Sequence, residues 1–447
     1  MNLNNEKIHL HILGIAGTFM GSLALIAKQL GHIVTGQDQG VYPPMSIQLD
    51  EQNIDYTQGY AVKDLPVADI YIIGNALSRG NACVEEILNQ RYVYTSGAQW
   101  LRDNVLRDKW VLAVAGTHGK TTTASMLAWI LEDAGYNPSF LIGGVAENFG
   151  ISSRLTKSNF FIIEADEYDT AFFDKRSKFV HYHPQTLVIN NLEFDHADIF
   201  DSLKDIQKQF HHLIRTVPNS GLIIHPQGNK NIEQMLAMGI YSEQQTLPTA
   251  KLSLSENGTT FSIENNTVDW HLLGEHNMQN GLSAIYAAHH AGVPLAIACE
   301  ALNTFQGVKR RLEVKYQTDN ITLYDDFAHH PTAIQTTLSG LRAKIGNEKI
   351  IAILELRSNT MKSGIHQQSL VDALNEADQV LILKPENQDW GIDALFAKDS
   401  LFESVTDIVT ALNQIKQGHF IVMSNGGFDD IFSKLILFIK SNDTKTS

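Results

Sequence analysis

Trp110-Val-Leu-Ala-Val-Ala-Gly116-Thr-His-Gly119-Lys120-Thr121-Thr122-Thr123 is the stretch from which the fold can be read. Its apolar start reads as a buried strand and its glycines as a turn. Lys120 and three threonines open a helix that runs through Ala124-Ser-Met-Leu-Ala-Trp-Ile-Leu131 to a stop at Gly135. In a strand–turn–helix of this kind, backbone N–H groups point at an anion and the helix dipole favours it. Lys120 is placed to reach the β- and γ-phosphates of a nucleoside triphosphate, and the Thr121 hydroxyl suits Mg²⁺. The pattern G-x-x-x-x-G-K-[ST] lacks its first glycine here, because Val114 stands in that place. The competing reading is a structural turn with a chance lysine. The threonine run and the strand context weigh against it.

The rest of the chain sets bounds around this cradle. Its 447 residues imply about two to four domains. A net charge of −15 and the lack of a basic block argue against a nucleic-acid surface. Cys83 and Cys299 fit no zinc spacing, and two distant cysteines suit a reducing cytoplasm. Met1 to Lys7 leads into a strand with no signal-peptide apolar region, and no stretch is apolar enough for a bilayer. No membrane partner is therefore expected. Ser441 to Ser447 reads as a disordered tail.

Working outward, the chain alternates strands and helices. Lys7–Leu13 is a strand, Gly14–Gly21 a glycine turn, Ser22–Leu30 a helix and His32–Asp38 a second strand with an acid at its tip. Asp69–Ile73 and Tyr92–Tyr94 continue the pattern. The unit is Rossmann-like, but its glycines are spaced GxxGxxxG, so NAD binding is poorly supported and another nucleotide suits the turn equally. Gly17 and Gly21 also suit plain helix–sheet packing. A second unit starts at Trp110 and adds the strands Phe160–Glu164, Gln185–Asn190 and Gly221–His225. Lys251–Leu273, with Asn257-Gly258 inside it, reads as a hairpin or small antiparallel patch. Helices follow over Gly281–Ala291 and Pro294–Leu302. A third unit has strands Ile321–Tyr324, Lys349–Leu354, Gln379–Leu383 and Phe420–Met423. The fold class is α/β, with three consecutive αβ domains: 1–108 Rossmann-like, 109–311 P-loop ATPase-like, and 312–447 Rossmann-like.

Chemistry-bearing residues gather at strand ends. Glu164, Asp166, Glu167 and Asp169 follow one apolar strand, where Mg²⁺ is held beside a phosphate cradle. Asp195, His196 and Asp198 follow another, and His196 is either a ligand to a second cation or a hydrogen-bonded loop histidine. Asn277 and Asn280 share a helical face and suit a base edge or phosphate oxygens, with capping as the alternative for Asn277. Lys309-Arg310-Arg311 is a basic cluster in an acidic protein, and Asp325-Asp326-Phe-Ala-His329-His330-Pro331 follows a third-domain strand.

Together these segments resemble the Mur ligases of bacterial peptidoglycan synthesis, in the family's order and spacing and over nearly the whole chain. The carriers are Gly116-Thr-His-Gly-Lys-Thr-Thr-Thr123, Glu164-Ala-Asp-Glu167, Asp195-His196, His276-Asn277-x-x-Asn280, Arg310-Arg311 and Asp325-Asp326-x-x-His-His-Pro331. The resemblance implies an ATP-dependent, three-domain amide ligase with Mg²⁺ at two sites and ATP as co-substrate. It implies Lys120, Glu164, His196 and Arg311 as catalytic residues. Thr121 and Glu164 would hold one metal, and Glu164 with His196 a second. ATP would be held by Gly116, Thr117, His118, Gly119, Lys120, Thr121, Thr122, Asn277, Asn280, Arg311 and Asp326. UDP-N-acetylmuramate would lie over Gly14, Ala16, Gly17, Thr18, Phe19, Met20 and Asp38. The incoming amine substrate would meet Arg357, Ser358 and Asn359, although Arg357 also suits a strand-end cap.

Within the family, five stretches imply the member that takes the recycled murein tripeptide L-alanyl-γ-D-glutamyl-meso-diaminopimelate. They are Gly14–Met20, Val41–Met45, Ile73–Ala76, Phe172–Phe179 and Arg357–Lys362. The L-alanine-adding member is the alternative. Such an enzyme serves peptidoglycan recycling, and with it cell shape and division, from the cytoplasm, as a monomer or weak homodimer.

Overall fold

The computed structural model describes residues 7–42, 45–197, 199–357, 359–362, 364–384 and 391–443. Three open sheets follow one another along the chain. The first holds β1 (His9–Leu13), β2 (Ile33–Asp38), β3 (Asp55–Gln58), β4 (Ile70–Ile73) and β5 (Tyr94–Ser96). All pair in parallel, in the order β3-β2-β1-β4-β5. The helix after β1 spans Thr18–Gln29 and so starts four residues ahead of the predicted Ser22. Thr18 to Gly21, read as turn, already continue the helix from its cap at Gly17.

The central sheet is built on β6 (Trp110–Ala115), β7 (Ser139–Leu141), β8 (Ser153–Arg154), β9 (Phe160–Glu164), β12 (Thr186–Ile189), β13 (Leu222–His225) and β14 (Glu243–Thr246). Its order is β14-β13-β12-β6-β9-β7-β8, so the cradle strand β6 sits in the middle with β9 and β12 beside it. Only the edge strand β8 runs antiparallel. A hairpin of β10 (Asp169–Ala171) and β11 (Asp174–Ser177) follows β9. The segment expected as a small antiparallel patch is three strands, β15 (Ser253–Leu254), β16 (Thr259–Ile263) and β17 (Asn266–Trp270). One helix, Glu275–His290, takes in both the segment expected from Gly281 and the helical face expected for Asn277 and Asn280, which lie in its first two turns.

The third sheet holds β18 (Glu313–Gln317), β19 (Ile321–Asp326), β20 (Ile350–Glu355), β21 (Gln379–Leu383), β22 (Leu401–Phe402) and β23 (Gly418–Met423). Its order is β18-β19-β23-β20-β21-β22, with β18 antiparallel at the edge. The last helix, Ile431–Asp443, takes in Ser441 to Asp443 of the expected tail; residues 444–447 lie outside the described residues, as do Pro43, Pro44 and Asp198.

One apolar cluster runs without interruption from Leu10 and Leu23 of the first unit to Val111, Phe161 and Phe210 of the second. Polar links cross the same boundary, among them Ser22 Oγ to Ser152 Oγ at 3.1 Å and the Leu155 N–H donating to Gln29 Oε1 at 2.9 Å. The third unit packs around clusters of its own on the two faces of its sheet.

Candidate active site at the tips of the central sheet

Register decides what surrounds the cradle. Val114 of β6 pairs with Glu164 of β9, and Ala115 pairs with Ile189 of β12. Glu164 on one side and Asn190-Asn191 on the other therefore rise beside the Gly116 turn. Gly119 caps the helix Lys120–Asp133 with a φ of +79°, a left-handed conformation that suits glycine. A Cβ there would stand 2.4 Å from Asn280 Oδ1, so Asn280 lies directly on the turn. The His118 N–H donates to Asn191 Oδ1 at 2.7 Å, and Asn191 Nδ2 donates back to the His118 carbonyl at 3.2 Å. Asn190 Nδ2 donates to Thr123 Oγ1 at 3.0 Å. The Thr117 hydroxyl accepts the Glu193 N–H at 2.9 Å. Thr122 is buried on the helix behind the turn. Asn277 Nδ2 donates to the Leu273 carbonyl at 2.8 Å, and its Oδ1 accepts from Asn280 Nδ2 at 3.4 Å. Asn190 and Asn191 were not among the expected site residues. Their signal was their position, at the end of an apolar strand parallel to β6.

The charges form a chain. Lys120 Nζ donates to the Gly116 carbonyl at 2.7 Å and to Glu167 Oε2 at 3.0 Å, with Asp166 Oδ1 at 3.9 Å. The other Glu167 oxygen lies 3.1 Å from His196 Nε2. Burial opposes the Lys120 ammonium, but Glu167, Asp166 and Glu164 outweigh it and hold its pKa above the ordinary lysine value. Burial likewise opposes the Glu167 carboxylate, yet Lys120 and His196 on its two sides keep it ionised and its pKa low. His196 titrates above an ordinary histidine, because its bond to Glu167 outweighs the cost of burial. It sits at a left-handed φ of +55°, and its ring centroid is 4.4 Å from that of Tyr168. His196, expected to share a second cation with Glu164, has the Glu167 carboxylate as its direct neighbour. The chain turns after β9 so that Glu167 faces inward, between imidazole and ammonium.

Glu164 has a different environment. Its Oε1 accepts the Thr121 hydroxyl at 3.0 Å and its Oε2 accepts the Gly143 N–H at 2.7 Å. Burial pushes its carboxyl above the ordinary range. A half-buried carboxylate beside a hydroxyl, both hard oxygen donors at the mouth of a phosphate cradle, fits Mg²⁺.

Across a cleft, the first unit presents its own turn. The Ala16 N–H donates to Asp38 Oδ2 at 2.9 Å, and the Gly14 N–H donates to the Gln37 carbonyl at 2.8 Å. Gly17, Thr18, Phe19 and Met20 line a cavity of about 310 Å³ shared with Glu164 and Asp166. The expected sugar-binding segment and the expected metal ligand Glu164 thus face one space.

The third unit reaches the site through a hinge. Arg310 and Leu312 both have left-handed backbones, at φ +59° and +52°. The Leu312 N–H donates to Asp326 Oδ2 at 2.7 Å and the Ala328 N–H to Asp326 Oδ1 at 2.8 Å, so Asp326 fastens the hinge. Arg311 lies over the Phe327 ring, 5.0 Å from its centroid. Arg310 is held by Asp325 at 3.4 Å and by the Ser424 and Gly426 carbonyls at 2.7 and 2.9 Å. The Thr332 hydroxyl donates to Glu193 Oε2 at 2.8 Å, and His118 Nε2 lies 3.5 Å from the same oxygen. His330 stacks near His118, with ring centroids 4.7 Å apart. His118, Glu193 and His330 are close enough to suggest a metal group. His330 Nδ1, however, accepts the Thr332 N–H at 3.3 Å, which puts the proton on Nε2 and leaves no lone pair there. Arg357 is half-exposed, 3.8 Å from Glu355 and against Gly426. Ser358 and the Asn359 side chain lie outside the described residues.

The chain belongs to the Mur ligase family. The family's catalytic-domain model matches residues 9–109, its middle-domain model 114–288 and its glutamate ligase domain model 310–426. The chain is 52% identical over 446 residues to the UDP-N-acetylmuramate–L-alanyl-γ-D-glutamyl-meso-2,6-diaminoheptandioate ligase of Haemophilus influenzae, covering 96% of this chain and 98% of that protein. It is 43% identical to a murein peptide ligase from Psychrobacter arcticus of known crystal structure, covering 97% and 98% of the two chains with a TM-score of 0.75. To the UDP-N-acetylmuramate–L-alanine ligase of Persephonella marina it is 31% identical, covering 78% of this chain and 75% of that one.

Proposed function

We propose, with family membership as the premise, that this ATP-dependent ligase joins UDP-N-acetylmuramate to L-alanyl-γ-D-glutamyl-meso-diaminopimelate and releases ADP and phosphate. The near full-length identity to the Haemophilus influenzae enzyme carries the choice of peptide over free alanine. The lower identity and coverage of the alanine ligase weigh the same way. The site geometry supports the chemistry.

A carboxylate is a poor acyl donor because oxide is a poor leaving group. Phosphorylation by ATP turns the lactyl carboxylate into an acyl phosphate, and the tripeptide amine then displaces phosphate through a tetrahedral intermediate. The first unit would hold the UDP-sugar with its diphosphate over the Gly14–Gly21 turn. The cradle would hold ATP, and Lys120 would neutralise charge at the γ-phosphate. When bound, Mg²⁺ screens the repulsion between carboxylate and triphosphate. Thr121 and Glu164 would hold one ion. Glu164 with His196 would hold a second, beside the Glu167 carboxylate. Asn277 and Asn280 would steady the nucleotide, and Arg311 and Asp326 would bring the third unit over it. Water must be kept from the acyl phosphate, and closing the third unit at the Arg310–Leu312 hinge would do so. Among the described residues no helix is long and apolar enough to cross a membrane. The pools of ATP and UDP-sugar place the reaction in the cytoplasm, in peptidoglycan recycling.

The test is a substrate comparison with phosphate release as the readout. With UDP-N-acetylmuramate and ATP fixed, kcat/KM should be at least about 100-fold higher for the tripeptide than for free L-alanine. Equal rates, or a preference for alanine, overturn the assignment.

A further inference from the structure

We propose that Lys178 binds the carboxylate of the sugar substrate in the cleft between the first and central units. The inference rests on the nucleotide-sugar reading above and adds to it a residue and a contact.

Lys178 follows the hairpin of β10 and β11, which carries the chain away from the β9 tip and back. The Asp169–Ser177 pairing closes the hairpin, and the Lys178 N–H then donates to the Tyr168 carbonyl at 2.9 Å. Its side chain is only 9% exposed and its ammonium is 3.8 Å from Asp166 Oδ2, beyond hydrogen-bond reach. The rings of Phe19 and Tyr168 flank it, with centroids 5.4 and 5.6 Å from Nζ. Phe19 stands in the first turn of the helix that follows the glycines of the first unit, so a central-unit lysine has been carried across to the sugar side. Lys178 lines the same cavity as that turn and Glu164.

An ammonium between two aromatic faces, with the carboxylates of Asp166, Glu167 and Asp169 around it but Asp166 no nearer than 3.8 Å, is incompletely paired, and burial outweighs those acids and lowers its pKa. An anion arriving in the cavity would complete its coordination. The Gly14–Gly21 segment contains no lysine or arginine, so it offers a substrate N–H groups, the Thr18 hydroxyl and a helix N-terminus but no cation. Asp166 separates two cations, with Lys120 at 3.9 Å on the ATP side and Lys178 at 3.8 Å on the sugar side. A sugar nucleotide lying over the turn and sending its carboxylate toward Lys120 must pass Lys178. Held by Lys178, the carboxylate stays ionised and is aimed at the γ-phosphate, and no bond to the lysine forms.

The experiment compares UDP-N-acetylmuramate with UDP-N-acetylglucosamine, which keeps the diphosphate and amino sugar but lacks the lactyl acid. Calorimetric affinities are measured for the full-length protein, Lys178→Met and Lys178→Arg, beside steady-state kinetics. Lys178→Met should lose roughly 10- to 100-fold in affinity for the muramate and none for the glucosamine. KM for the muramate should rise and KM for ATP stay unchanged, and Lys178→Arg should recover part of the loss. Equal loss for both sugars would put Lys178 on the diphosphate and overturn the proposal, as would no loss for either. The unsubstituted protein gives a reading that needs no variant: failure to prefer the muramate also overturns it. Whether that protein ligates the tripeptide is scored separately, so this inference can fail while the proposed function stands.

Discussion

The turns at Gly14–Gly21 and Gly116–Gly119 share one plan, a central parallel strand running into glycines and a helix, yet they meet anions differently. The first helix is capped by Gly17 in an ordinary extended conformation, φ −65° and ψ 142°. Its turn carries no charged side chain, and a carboxylate, Asp38, already occupies the Ala16 N–H. The second helix is capped by left-handed Gly119 and begins with Lys120, whose ammonium is folded back onto the turn's own carbonyl at Gly116. A site that only grips an intact diphosphate can work with N–H groups and a helix dipole. A site that moves a phosphoryl group needs positive charge close to the atoms whose charge changes, fixed before the reaction. Glu167 and His196 do that fixing here.

The comparison can be broken first at Lys120. Lys120→Ala should lower ligation by on the order of 1,000-fold while leaving UDP-sugar affinity unchanged. Phosphate release and calorimetry read the two quantities, and parallel loss would mean the turns are not separate sites. Glu167→Gln should lower kcat roughly 100-fold, because it loosens the lysine and the imidazole together. It should also move the His196 titration to lower pH, since the Glu167 carboxylate is what raises it; an unmoved histidine signal in NMR would refute the link. The smallest effect sharpens the contrast between the caps. Gly119→Ala places a Cβ 2.4 Å from Asn280 Oδ1 in a left-handed backbone and should cost about 1–2 kcal/mol of stability. Gly17→Ala meets nothing nearer than 3.5 Å and should leave the thermal midpoint where it is. Equal losses in the two variants would remove cap geometry as the difference.

How far the site could be read from the chain follows from where each signal lives. The cradle was legible because strand, turn and helix start each carry their own chemistry within residues 110–123. Glu164 was legible as the last residue of an apolar run. Which of the acids after it turns inward was not, because Asp166 and Glu167 lie beyond the strand, where side-chain alternation no longer applies. Lys178 was hidden for a related reason: the hairpin that returns it to the site is two short strands of polar and charged residues. The helical face of Asn277 and Asn280 was legible from their spacing of three, but that Asn280 lies against Gly119 was not, because that contact joins segments far apart in the chain. The edge strand β18, Glu-Val-Lys-Tyr-Gln, alternates, but only Val314 and Tyr316 carry the pattern and Val314 is exposed on the rim, so the signal is short and marks no buried face.

The uninterrupted apolar cluster joining the first two units has a consequence for synthesis. The chain emerges N-terminus first, so Leu10, Leu23 and Leu101 are outside the ribosome before Phe161 and Phe210 exist to cover them. At ordinary translation rates the wait is on the order of ten seconds. During that interval the newborn first unit displays an oily flank to chaperones and to its neighbours on the polysome. The third unit, wrapped around its own two clusters, is spared that exposure and closes last over a partner already assembled.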